Sequence, residues 1–184
     1  MKTNDLIKVT FLKEITTKGI DAVNVQSLCG VLNIKRQTFY YYYRDIYDLV
    51  DSILGDYYDD FKDKEINIYY ISEVLEAIKE NINLFTEFIN SSLHELFESF
   101  LKKLIIPYTA YRIQENKSAD LLSNDNIREI TEFLSRGIIY LLTDIVTKES
   151  DLQTSLIRNK INVYLDPVLL TDLINLYHTN RRNI

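Results

Sequence analysis

Apolar residues recur through most of this chain at the three-to-four-residue spacing of helices that bury one face. Asn4 can cap a first helix carrying Ile7, Phe11, Leu12 and Ile15, and Lys18-Gly19 reads as its basic last turn and C′ glycine. Asn24 caps a short second helix with Val25, Leu28, Cys29 and Leu32, and Asn33 follows where a reversal would need positive φ. "KRQTFYYYY" forms a third short helix, and Asp45 caps a fourth, through Ile46, Leu49, Val50, Ile53 and Leu54 to about Lys62. Longer amphipathic segments follow: Ser72 to Asn90, broken near Asn81–Asn83, then Ser91 to about Arg112, where Pro107 should kink or end the helix near Ile106. Residues 115–126 are polar and read as a loop, Asn126 to Lys148 is again helical, and 149–165 is ambiguous. Asp166-Pro167 supplies a cap and an N1 proline for a last helix with Leu169, Leu170, Leu173, Leu176 and Tyr177.

Composition strengthens the helical reading. Only 4 Gly and 2 Pro occur among 184 residues, against a typical share of about 12% for the two types together. Sandwiches and barrels need frequent turns, so an all-α protein is expected. A single Cys excludes a disulfide framework and a thiolate zinc site and fits a reducing compartment. No apolar run reaches the roughly 18 residues of a membrane span, and "MKTNDLIKVTFLKEIT" mixes charges with apolar residues unlike a signal peptide. These features point to a cytoplasmic chain that does not engage a membrane.

Charge divides the chain. The formal net charge is −6, which weighs against non-specific nucleic-acid binding, yet residues 1–44 hold seven Lys or Arg against three Asp or Glu. A mildly basic head therefore precedes an acidic body.

Within the head, three positions satisfy the geometry of a helix-turn-helix. Cys29 is the small residue that lets one helix cross another closely. Asn33, four residues on, tolerates the turn's positive φ, and Phe39, six further, anchors the second helix. Val25, Leu28, Ile34 and Phe39 would close the small core, leaving Lys35, Arg36, Gln37, Tyr40 and Tyr41 outward as donors for phosphates and base edges. The Tyr40–Tyr43 run points all round its helix: Tyr43 is expected inward and Tyr40 and Tyr41 outward, with Tyr42 undecided. Cys29 reads as a packing residue.

"VNVQSLCGVLNIKRQTFYYYYRDIYDLV", residues 23–50, resembles the signature of the TetR/AcrR family of bacterial transcription regulators. Val25, Leu28, Ile34, Thr38, Phe39, Tyr40, Tyr43 and Leu49 fall on matching positions, and "EITTKGIDAV" looks like the family's approach to the motif, with Gly19 in place. The "RQTFY" string with an acidic cap is similar to a branch that includes activators of dihydroxyacetone-kinase operons. The resemblance implies an N-terminal three-helix DNA-binding domain over 1–45 and a helical effector-binding and dimerisation domain over 46–184. Residues 46–62 would be the connecting helix. It further implies that Thr38 and Tyr40 touch backbone phosphates, that Gln37 and Tyr41 lie near base edges, and that Gln26 reaches the flanking phosphate. Lys35 replaces the usual Ser or Thr cap and adds a phosphate-seeking charge. Ile46 stands where the family often has a phosphate-binding lysine, which Arg44 would replace.

The expected function is thus a sequence-specific, homodimeric DNA-binding regulator acting on palindromic double-stranded DNA. It would pair through about 126–148 and 166–180, whose apolar stripes exceed what one small domain buries. A small-molecule or protein effector would bind in the C-terminal domain and change the separation of the heads. Phe85, Phe88, Phe97, Phe100, Tyr108 and Tyr111 are the aromatics able to line such a pocket, although a core needs aromatics too. The alternative is a helical protein-interaction module or co-regulator with weak or lost DNA binding, a reading favoured by the acidic balance and by Ile46. An enzyme is not expected, since no Gly-rich phosphate loop, nucleophile elbow or clustered metal-ligand set occurs. His94 and His178 are far apart and no metal or cofactor is assigned to them. Arg181-Arg182 reads as a partner for the last helix's dipole.

Overall fold

Local chemistry sets three of the helix starts. Asn24 Oδ1 accepts from the Ser27 N–H (3.0 Å) and Asp45 Oδ1 from the Asp48 N–H (2.8 Å), each satisfying a donor the helix leaves open. Asp166 Oδ1 accepts from the Val168 and Leu169 N–H groups (2.9 and 3.3 Å), and Pro167 occupies the first helical position. The computed structural model describes residues 2–148 and 153–181. Among them run ten α-helices and no strand: α1 (Thr3–Lys18), α2 (Val25–Leu32), α3 (Arg36–Tyr42), α4 (Ile46–Asp59), α5 (Tyr70–Glu80), α6 (Ile82–Ile89), α7 (His94–Gln114), α8 (Asn124–Lys148), α9 (Thr154–Tyr164) and α10 (Pro167–Arg181). The all-α class predicted from turn scarcity is the class observed.

Several boundaries differ from the sequence reading for physical reasons. Asn4 is not a cap: α1 already begins at Thr3, the Asp5 carboxylate takes the Lys2 N–H (3.2 Å), and Asn4 Oδ1 accepts from the Tyr43 hydroxyl. Pro107 does not end its helix, which continues to Gln114. An interior proline costs about 3 kcal/mol. Leu104, Ile105, Tyr108 and Ile113 around it are buried, at about 1.5–3 kcal/mol each, and together they outweigh that cost. The 115–126 stretch holds a 3₁₀ turn, Lys117–Leu121, whose entry Asn116 fixes by accepting from the Ser118 N–H (2.9 Å), and α8 begins at Asn124. The ambiguous 149–165 stretch is helical over Thr154–Tyr164. The helix after Asp45 stops at Asp59, and one hydrogen-bonded turn from Tyr58 carries the chain to Lys62. Arg182 lies outside the described residues.

The chain forms two compact units: residues 1–63 with 81–100, and residues 64–80 with 101–184. In the first, α1 packs on α2 and on α6, and α2 packs on α3. Ile7, Phe11, Ile15, Leu28, Phe39 and Leu49 fill its centre. In the second, α5 packs on α9, and α10 packs on the 3₁₀ turn, over a core that includes Ile71, Leu75, Leu104, Tyr108, Ile161 and Ile174.

Candidate nucleic-acid interface

The helix-turn-helix is built as its three key positions require. Cys29 is 4% exposed, and burial pushes its thiol up, as befits a packing residue. Asn33 adopts φ 50° and ψ 43°, and the Asn33 and Ile34 N–H groups donate to the Gly30 and Cys29 carbonyls (3.2 and 3.1 Å). A left-handed residue is ordinarily Gly, and Asn is among the few side chains that tolerate it cheaply. Gly19, at φ 75° and ψ 158°, makes the other sharp reversal; an added Cβ has room there, so it is the backbone angle that demands glycine. Phe39 is fully buried, with the Tyr40 ring edge-on at 5.7 Å and the Tyr43 ring at 5.8 Å. Val25 and Ile34, expected in this core, are only half-buried, whereas Ile20 and Val23 just before α2 are buried.

The tyrosine run divides as its helical spacing dictates. Tyr43 is 5% exposed and donates to Asn4, while Tyr40 and Tyr41 are 55% and 81% exposed; Tyr42 stands between at 38%. Lys35, Arg36 and Gln37 are exposed on the same helix and Thr38 is half-buried. Gln26 is exposed on the first turn of α2. Arg44 is exposed but engaged: its Nη2 donates to Asp48 Oδ1 (3.2 Å) and its backbone N–H to Asp48 Oδ2 (2.9 Å). These two bonds, the backbone one first, hold the Asp48 carboxyl below the usual carboxylate range.

A cleft of about 390 Å³ lies where α2 and α4 begin, lined by Asn24, Gln26, Arg36, Tyr40, Asp45 and Tyr47 among others. The cleft thus brings the Arg36 guanidinium and the Tyr40 ring beside the starts of α2 and α4, which Asn24 and Asp45 already cap. Tyr47, 49% exposed, was not among the residues singled out from the sequence. It lies two residues past the Asp45 cap, on the first turn of α4, and what brings it to the cleft is the placement of that turn beside the start of α2, which no local sequence signal gives.

The six aromatics considered for a ligand pocket separate cleanly. Phe85, Phe88, Phe97 and Phe100 belong to the first unit, where Phe85 meets Phe97 at 4.9 Å, Phe100 at 5.9 Å and Phe88 at 6.5 Å between ring centroids. These rings fill one another's space. Tyr108 and Tyr111 belong to the second unit, where Tyr108 is fully buried and Tyr111 lines an open cleft. Among the described residues no group of three or more His, Cys, Asp or Glu could hold a metal ion, and no helix is long and apolar enough to cross a membrane.

A sequence model of the transcriptional regulator C-terminal region of TetR-type proteins matches residues 66–166. The chain belongs to the TetR family of transcriptional regulators. Its fold agrees: the solved structure of the dihydroxyacetone kinase operon activator DhaS aligns with a TM-score of 0.65, over 89% of this chain and 94% of that one. At 16% identity the likeness to that protein is one of fold. No curated protein sequence matches the chain. In this TetR-family regulator the matched segment lies outside the helix-turn-helix, so motif and family model support the assignment from separate parts of the chain.

Proposed function

We propose that this protein is a homodimeric, sequence-specific DNA-binding regulator whose operator affinity is set by an effector bound in its C-terminal helical region. The observation that carries the reading is the outer face of α3. Lys35, Arg36, Gln37, Tyr40 and Tyr41 stand exposed on a helix anchored from beneath by the fully buried Phe39. A rigid helix with cationic, amide and phenolic donors on one side suits a major groove and its flanking phosphates. Thr38, Tyr40 and Gln26 serve as phosphate contacts, and Gln37 and Tyr41 read base edges. In functional terms residues 1–45 are the reading head and 46–184 the control region, although α4 and α6 pack with the head.

Dimerisation joins α8 and α10 of two copies. Phe133 and Tyr140 on α8 are both 72% exposed, and they line a groove of about 630 Å³ together with Tyr164 and Leu169. Val168 and Leu176 on α10 are 70% and 62% exposed. Apolar side chains uncovered to this extent mark an association surface, and a two-fold pairing would set two heads on successive turns of a palindrome. An effector that favours one separation of the heads shifts the population toward it, and its sign depends on which arrangement it prefers.

A gel-shift titration with DNA flanking the protein's own gene, at two salt concentrations, tests this reading. Binding should weaken steeply with salt, since phosphate contacts release counterions. Tyr40→Ala should lose affinity for all sequences alike, whereas Gln37→Ala should relax choice at one base position, by about 1–3 kcal/mol. Uniform loss in both variants would remove Gln37 from base readout. A complex indifferent to salt would overturn the DNA reading in favour of a protein partner.

A further inference from the structure

The second compact unit contains a cleft of about 480 Å³, within the size range of small-molecule sites, whose wall includes two arginines. Arg112, on α7, is half-buried and fixed: Nη1 donates to the Tyr108 hydroxyl (2.9 Å) and Asn162 Oδ1 (3.3 Å), and Nη2 donates to the Leu165 carbonyl (2.8 Å). Its guanidinium also lies 5.9 Å from the centre of the Tyr108 ring. Every one of these partners is neutral, and three contacts leave two of the five guanidinium donors uncommitted. Arg158, on α9, lines the same cleft and among the described residues makes only a long contact to Ser72 Oγ (3.4 Å). Glu76, an acid on α5, is taken by the Thr154 hydroxyl (2.7 Å).

Among the described residues neither guanidinium has a carboxylate partner. Among the described residues Glu115 is the one carboxylate lining the cleft, against two arginines. The remaining lining is mostly apolar or aromatic, with Ile68, Tyr69, Tyr111 and Pro167 beside the polar Ser72 and Asn162. Asn116 holds that edge in place by donating to the Pro167 carbonyl (2.8 Å) and Thr171 Oγ1 (3.1 Å). Arginine is the side chain best shaped to grip carboxylate or phosphate through paired donors, and the neighbouring rings would cover an apolar body.

We propose that this cleft is the effector site and that its ligand is a small organic anion, a carboxylate or phosphate carried on an apolar or aromatic body. The proposal rests on the effector-control reading above and adds the chemistry of the effector to it. Arg112 supplies the pre-oriented contact and the exposed Arg158 the second.

The test uses the full chain, with phenyl phosphate, benzoate, inorganic phosphate and uncharged benzyl alcohol as probes at constant ionic strength. Isothermal titration should give saturable binding of phenyl phosphate or benzoate, weaker binding of inorganic phosphate and none of benzyl alcohol. Arg158→Gln should weaken that binding roughly tenfold, with the ligand-free melting temperature unchanged because its contact to Ser72 is long and exposed. Arg112→Lys keeps the charge but loses the fork, and should weaken binding further. No saturable binding by any anion, equal binding of benzyl alcohol, or an affinity unmoved in Arg158→Gln overturns the site. Inorganic phosphate binding as tightly as phenyl phosphate overturns the apolar half of the ligand. The same anions are then added to the gel shift. Arginine-dependent binding that changes operator affinity supports both readings. Arginine-dependent binding that leaves operator affinity unchanged keeps the anion site and overturns its role as effector site.

Discussion

The molecule leaves two kinds of aromatic and aliphatic surface uncovered, and their chemistry separates them. On α3 the exposed rings are Tyr40 and Tyr41, each ending in a hydroxyl and flanked by Lys35, Arg36 and Gln37. On α8 and α10 the exposed aromatic and aliphatic residues are mostly without a polar tip, Phe133, Val168 and Leu176 among them, with Tyr140 the phenol on α8. A phenol at the edge of water keeps a hydrogen bond whether it meets solvent or a phosphate. A phenyl or isobutyl group left in water gains only by meeting another apolar surface, at about 25 cal/mol for each square ångström covered. Gly137, in the same groove as Phe133 and Tyr140, faces open space, since a Cβ there would meet nothing within 4 Å. Exposure alone therefore says little. What the exposed atoms would accept as a neighbour distinguishes a polyanion-reading face from a self-association face.

The most severe way to break this contrast is to remove the anchor of the first face. Phe39→Ala deletes a fully buried ring that two tyrosines contact, at a cost of about 3–5 kcal/mol. Thermal melting should drop and operator binding vanish, whereas sedimentation should still report the dimer if the α8 and α10 surface is independent. Loss of the dimer in this variant would mean that the two faces are not separate devices. A smaller effect is expected on the second face. Phe133→Glu places a carboxylate in the proposed pairing surface, and desolvating it should cost about 2 kcal/mol or more, weakening self-association roughly thirtyfold. Because Phe133 is 72% exposed in the single chain, monomer folding should be untouched. Sedimentation equilibrium across a concentration series checks this, and an unchanged dimer removes α8 from the interface.

Sequence reading succeeded where a residue's effect is confined to its own turn. The Asn24, Asp45 and Asp166 caps and the left-handed Asn33 each follow from one side chain and the backbone beside it. It faltered where a distant partner decides. Pro107 announces a break in any local reading, and only the burial of its neighbours Leu104, Ile105 and Tyr108 explains why the helix continues. Asn4 looks like a cap until Tyr43, thirty-nine residues on, claims its side chain. The four phenylalanines and Tyr111 have the same aromatic character in the sequence, yet the phenylalanines pack on one another and Tyr111 lines a cleft. The reading of the candidate interface had the same limit: α3 follows from its periodicity, while Tyr47 joins it only because α4 begins beside α2.

Arg44 offers the finest test, because stability and recognition pull it in opposite directions. Asp48 accepts from the Arg44 backbone N–H (2.9 Å) and from its guanidinium (3.2 Å), which lowers the Asp48 pKa relative to an unfolded chain. A depressed carboxyl favours the folded state at pH values above its ordinary value of about 4 and loses that contribution as pH falls through its lowered one. The pair is exposed, so solvent screens it and the effect on melting should be slight. Its effect on DNA should be the larger one. While Asp48 is ionised it holds the cation that would stand in for the family's phosphate-binding lysine. Asp48→Asn should therefore lower the melting temperature marginally yet tighten operator binding roughly twofold to threefold, with a salt slope steeper by nearly one phosphate contact. Asp120→Asn, which changes net charge equally at an exposed site in the other compact unit, is the control. If both variants tighten binding alike, the gain belongs to overall charge and Arg44 takes no phosphate. If Asp48→Asn weakens binding, the Arg44–Asp48 pair is part of the reading head's architecture and the missing lysine has no substitute.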